Sequence, residues 1–123
     1  MKIIDLFQTK SRFFRSTHLE RDFFDASALD GYMLTAQVLA SLERLCAGLK
    51  SDSGQRAWRI TGDYGSGKSS FALLLAHLFS ARTAQLPDHL SPAIELVQTN
   101  REVESKKPVL VTGCSEPMTV ALL

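Results

Sequence analysis

Apolar positions recur at helical spacing through the second quarter of the chain. Leu34, Val38, Leu42, Leu45 and Leu49 follow one another at three- and four-residue steps, and Leu39 and Cys46 widen the stripe. This pattern predicts a core-facing amphipathic helix over 28–50. Ser27 and Asp30 stand at capping-box spacing at its start, and Ser51–Gln55 reads as its exit loop. A second run, from Ser69 to Arg82, carries Phe71, Leu73, Leu74, Leu75, Leu78 and Phe79 and is apolar nearly all round. Such a helix is buried on several sides. A third helix is expected from Ser91, as N-cap, with Pro92 at the first helical position and Glu95 in the first turn. It runs to about Ser105 and is polar enough to lie on the surface.

Two shorter runs read as strands. Ala57–Thr61 carries Trp58 and Ile60. Pro108–Thr112 is continuously apolar, as in strands buried on both faces of a parallel sheet. Gly113–Cys114 then turns, and Ser115–Leu123 reads as the opening of another helix. Near the start, Ile3–Phe7 is a short strand or an apolar arm. Residues 9–24 mix the pairs Phe13–Phe14 and Phe23–Phe24 with four Arg/Lys residues and show no clean period. Packing onto a neighbouring surface accounts for those aromatics better than base stacking does.

Between the first strand and the second helix lies the stretch that carries chemistry. Gly62-Asp63-Tyr64-Gly65-Ser66-Gly67-Lys68-Ser69 fits G-x-x-x-x-G-K-[ST], the phosphate-binding loop. Backbone N–H groups must converge on a polyphosphate, and side chains would block that approach. Gly62 and Gly67 meet the tight positions, and Gly65 adds freedom. The helix that follows offers unpaired N–H groups and the positive end of its dipole. Lys68 is expected to place its ammonium between the β- and γ-phosphates, and Ser69 to ligate Mg²⁺. Ser70 offers a further hydroxyl towards the α-phosphate. Asp63 is expected to face solvent or a partner rather than to act as a base.

Composition adds bounds. A chain of 123 residues suffices for one compact domain. With 45% hydrophobic and 22% charged residues, it reads as globular rather than disordered. A net charge of +1 supports neither DNA nor an anionic membrane as a partner. Cys46 and Cys114 stand far apart and suit reduced thiols in the cytoplasm. The start, "MKIIDLF", is not a signal peptide, and the longest apolar stretch, Phe71–Leu78, is far short of the roughly 20 residues of a membrane span.

Other candidates are weaker. His18, His77 and His89 show no metal-ligand spacing. Gly113-Cys114-Ser115 resembles a nucleophile elbow, but Pro117 stands where glycine is needed. Asn100–Lys107 reads as a solvated helix end. The carboxylate expected at the end of a second strand to support Mg²⁺ is not evident: Pro108–Thr112 runs into Gly113, and Glu116 comes later. No N-K-x-D guanine-reading pattern occurs, which leans the base towards adenine.

The strand–loop–helix order predicts an α/β fold, a three-layer parallel sheet of the P-loop NTPase type, incomplete, with an N-terminal helical extension. The division is an arm and amphipathic helix in 1–55 and a partial nucleotide-binding core in 56–123. The chain is thus expected to be the N-terminal portion of a larger ATPase. Alternatives are a small-molecule or nucleotide kinase, for which Arg82 and Arg101 make a poor lid, and a non-hydrolysing nucleotide-dependent switch or scaffold. Asp5-Leu6-Phe7, Tyr32-Met33-Leu34-Thr35 and the Gly62–Ser69 loop together resemble the start of the large ATP-binding proteins of bacterial BREX phage-defence systems, over roughly residues 1–80. That resemblance implies an AAA-like ATPase, ATP and Mg²⁺ as cofactors, partners among the subunits of a defence complex, and phosphate-binding roles for Gly62, Gly65, Gly67, Lys68 and Ser69.

Overall fold

The computed structural model describes residues 17–50, 52–100 and 106–111. It contains four α-helices: α1 (Leu19–Asp22), α2 (Ala36–Leu49), α3 (Lys68–Leu78) and α4 (Ser91–Thr99). Two single 3₁₀ turns, Thr83–Gln85 and Asp88–Leu90, carry the chain from α3 to α4.

The all-round apolar character of α3 has the consequence expected of it. Leu73, Leu74 and Leu78 are buried, with α1 packed against α3 on one side and α4 on another. Leu42 and Cys46 of α2 join Ala93 and Val97 of α4 in the same core, together with Phe23, Leu29, Leu86 and Leu90. The apolar stripe read from the sequence of α2 is therefore its buried face, and burial raises the Cys46 thiol above its ordinary range.

α2 begins later than the capping-box spacing suggests. Ser27 does not cap a helix: its N–H and hydroxyl both donate to Asp25 Oδ1, at 2.9 and 2.7 Å. The chain then passes through turns to Gly31, whose φ of 72° ends any helical path. Thr35 is the cap that operates, its Oγ1 accepting the Val38 N–H at 3.2 Å. α4 likewise departs in detail. Leu90 holds its N-cap position, the Ser91 hydroxyl donates back to the Asp88 carbonyl, and the helix closes at Thr99, where Asn100 Nδ2 donates to the Leu96 carbonyl at 2.8 Å.

The predicted three-layer parallel sheet is not present: no β-strand occurs among the described residues. Ala57–Thr61 forms no regular element, and no backbone hydrogen bond joins it to another described segment. It runs along α2 instead, with the Trp58 ring against Gly48. Lys106–Val111 is anchored elsewhere, by the Lys106 N–H to the Phe79 carbonyl at 2.6 Å beyond the end of α3. The physical reason for the difference is that strand propensity measures fit to a paired, half-buried surface. Here no backbone hydrogen bond pairs the two apolar runs among the described residues, and Ile60 and Val109 stay 42% and 74% exposed. Thr112, Gly113, Cys114 and the expected helix over Ser115–Leu123 lie outside the described residues, as do Ile3–Phe7 and Phe13–Phe14.

Among the described residues no helix is long and apolar enough to cross a membrane.

Candidate functional site

The glycine-rich segment folds as a curled loop that leads directly into α3. Asp63–Ser66 forms a tight turn closed by the Ser66 N–H to the Asp63 carbonyl at 3.2 Å. Gly65, its third residue, has φ of 80°, the left-handed value that a side chain resists. Gly67 is the N-cap of α3 with φ of 82° and ψ of 15°, and its carbonyl accepts the first helical bond from the Phe71 N–H at 2.9 Å. No side chain caps this helix. The N–H groups of its first turn therefore have no intrahelical partner and point out of the helix end, an electropositive position suited to an anion.

Lys68 closes the curl. Its Nζ donates to the Gly62 carbonyl at 2.8 Å, the Asp63 carbonyl at 2.5 Å and Ser66 Oγ at 3.3 Å. Gly62 has no positive φ, and a Cβ there would stand 2.8 Å from Ser66 Oγ, a terminal atom of an exposed side chain that can turn aside. Tyr64 at the tip is 98% exposed, and Asp63 faces solvent, as anticipated. Ser69 is exposed, and its hydroxyl has no hydrogen bond among the described residues. Ser70 differs: its Oγ lies 3.1 Å from Thr17 Oγ1, so this hydroxyl ties the N-terminal arm to the first turn of α3.

A cleft of about 600 Å³ adjoins the loop. One wall is the face of α2 that carries Ser41, Arg44 and Leu45, and the other is Trp58–Gly62. Ser66, Gly67 and Lys68 line it too, with Phe71 of α3. Among the described residues its charge is one-sided: Arg44, Arg59 and Lys68 line it, and no described Asp or Glu does. Neither Arg44 nor Arg59 has a side-chain hydrogen bond or ion pair among the described residues. These two arginines and Trp58 carry no motif spacing, and only the folding of α2 against 58–62 brings them to the loop.

The residues fit a magnesium-bound polyphosphate. Lys68 supplies an ammonium, the α3 end supplies backbone donors, and Ser69 supplies a hydroxyl of the kind that Mg²⁺ accepts alongside phosphate oxygens and water. The described residues hold no cluster of three or more His, Cys, Asp or Glu side chains that would build a metal cage of their own.

The histidines stand apart from the loop chemistry. His77 is buried in α3, tilted against the Phe23 ring at 4.8 Å, with Nδ1 lacking a partner. Burial, and secondarily the Arg82 charge, push its pKa below the ordinary 6.5. His89 Nε2 bonds to the Tyr32 carbonyl at 2.8 Å. Arg82 lies 4.9 Å from the ring centres of both Phe23 and Phe24 and donates to Gln85, which engages it in packing rather than over the loop. Arg101, Cys114, Glu116 and Pro117 lie outside the described residues.

Comparison with protein-family models, with curated proteins and with solved structures yields no match to this chain.

Proposed function

We propose that the chain binds a magnesium nucleotide, ATP, through the loop Gly62–Ser69. The observation that carries this reading is the seating of Lys68 Nζ within the curl of its own loop, at the mouth of an uncapped α-helix. An ammonium held by two carbonyls and a hydroxyl is already positioned where phosphate oxygens would arrive. Exchanging those neutral acceptors for charged ones strengthens its hydrogen bonds. Gly65 and Gly67 allow the bend, the first N–H groups of α3 face the phosphates, and Ser69 reaches the metal. On this reading the chain supplies nucleotide binding to a larger ATPase of the phage-defence type that its segments resemble.

A second reading, a nucleotide-dependent switch with little turnover, is favoured by one observation. No carboxylate among the described residues lines the cleft, so none of these lining residues is a candidate to orient water as a base or to hold the metal's outer waters. Comparing ATP binding with phosphate release on the same preparation separates the two readings: tight binding without release supports the switch.

The test of binding itself is calorimetric titration with Mg-ATP. Lys68→Ala is expected to weaken affinity about 10- to 100-fold, the loss of a charge-assisted hydrogen-bonding centre. Unchanged affinity would overturn the reading.

A further inference from the structure

The loop accounts for phosphates, but the cleft beside it is larger than a phosphate chain needs. At about 600 Å³ it lies within the roughly 300–1,000 Å³ typical of small-molecule sites. Its far wall presents the ring of Trp58, which is 39% exposed and rests against α2 at Gly48. Trp58 stands four residues before Gly62, so the two Cα atoms are at most roughly 13–14 Å apart. An aromatic surface therefore sits within one small molecule's reach of the phosphate loop. Among the described residues the lining carries three cations and no acid, and Arg44 and Arg59 have no side-chain partner there. Both arginines are exposed to solvent, and an anion with an aromatic end matches the cations and the Trp58 ring of the lining together.

We infer that the cleft between α2 and Trp58–Gly62 takes the nucleoside end of a nucleoside triphosphate, with its base on the Trp58 ring and Arg44 as a second cation beside Lys68. This rests on the loop reading above and extends it from phosphate recognition to recognition of the whole nucleotide. Stacking on Trp58 supplies affinity with little discrimination among bases, because every base offers a flat π-face. Arg44 reaches the cleft from a different element than Lys68, so the ligand bridges α2 and the α3 loop.

Trp58 is the only tryptophan in the chain, so its fluorescence reports the cleft alone. The full chain is titrated with Mg-ATP and, separately, with magnesium tripolyphosphate, following both heat and Trp58 emission. ATP is expected to quench Trp58 and to bind on the order of tenfold tighter than tripolyphosphate, while tripolyphosphate leaves the emission unchanged. Trp58→Ala should bring ATP down to the affinity of tripolyphosphate, and Trp58→Phe should restore part of the gap. Arg44→Gln should weaken ATP severalfold while circular dichroism stays that of the parent chain. Equal affinities with unaltered emission would overturn the cleft assignment and leave the loop reading standing. Binding of neither ligand would overturn both.

Discussion

At the scale of single residues, the glycines divide by the physical reason for each. Gly65 and Gly67 are held at φ of 80° and 82°, where a side chain costs roughly 1–2 kcal/mol. Gly67→Ala is therefore expected to lower stability by about 1 kcal/mol in urea unfolding and to weaken Mg-ATP binding with it. Gly48 poses a different problem. It sits inside α2, where alanine gains about 1 kcal/mol of helix propensity, but a Cβ there would collide with Trp58 Cζ2. The ring lies on a segment without backbone hydrogen bonds to another described segment and can move, so Gly48→Ala should leave stability nearly unchanged and shift the Trp58 emission. The bend of the loop and the helix that follows it were legible in the sequence, because Gly65 and Gly67 stand where the backbone takes positive φ and α3 begins at Lys68. The bond between Ser70 and Thr17 was not legible, since it joins hydroxyls that only packing brings together, and nothing in the local pattern of either residue marks it.

At the scale of elements, the apolar stripes predicted helices and the buried faces of those helices well, because a period near 3.6 residues matches the helix and not the two-residue alternation of a strand. Their starts were less legible. Ser27 and Thr35 both have the chemistry of a cap, and the choice falls to Asp25, which takes up both donors of Ser27, and to Gly31, which breaks the path between them. The consequence can be measured by denaturant unfolding. Thr35→Ala should cost about 1 kcal/mol through the lost bond to the Val38 N–H, whereas Ser27→Ala, in an exposed turn, should stay within about 0.5 kcal/mol. The two strand candidates show the limit of local pattern more sharply. Trp58 and Ile60 alternate as strand residues do, but a segment becomes a strand only by pairing, and its partner is a long-range property.

At the scale of the molecule, the helices share one core, so its stability should respond to conditions as a unit. Leu73 has no exposed surface, and Leu73→Ala is expected to cost roughly 2–5 kcal/mol. His77 makes the same core sensitive to acid. Its folded pKa lies below 6.5 because burial disfavours the imidazolium and Arg82 repels it. The unfolded chain then binds the proton more readily than the folded one, so stability is full above pH 6.5 and falls as the pH drops below 6.5 through the lower folded value. Unfolding midpoints measured from about pH 7.5 to 5 should trace that decline, and His77→Gln should flatten it. The three-layer architecture was misjudged at this scale because it was inferred from the order of elements alone. Burial decided otherwise: α3 is enclosed by α1 and α4, and Trp58 packs on α2.

The bonds that Lys68 makes within its own loop carry one more consequence. In the free chain the ammonium serves as a resident guest, holding two carbonyl oxygens inward and keeping the hollow moulded around a positive centre. On the proposed reading, an incoming triphosphate would trade places with those backbone oxygens. Removing the lysine side chain deletes the mould along with the charge. A methionine in its place, similar in reach but without donors, would lose both bonds to the Gly62 and Asp63 carbonyls as alanine does.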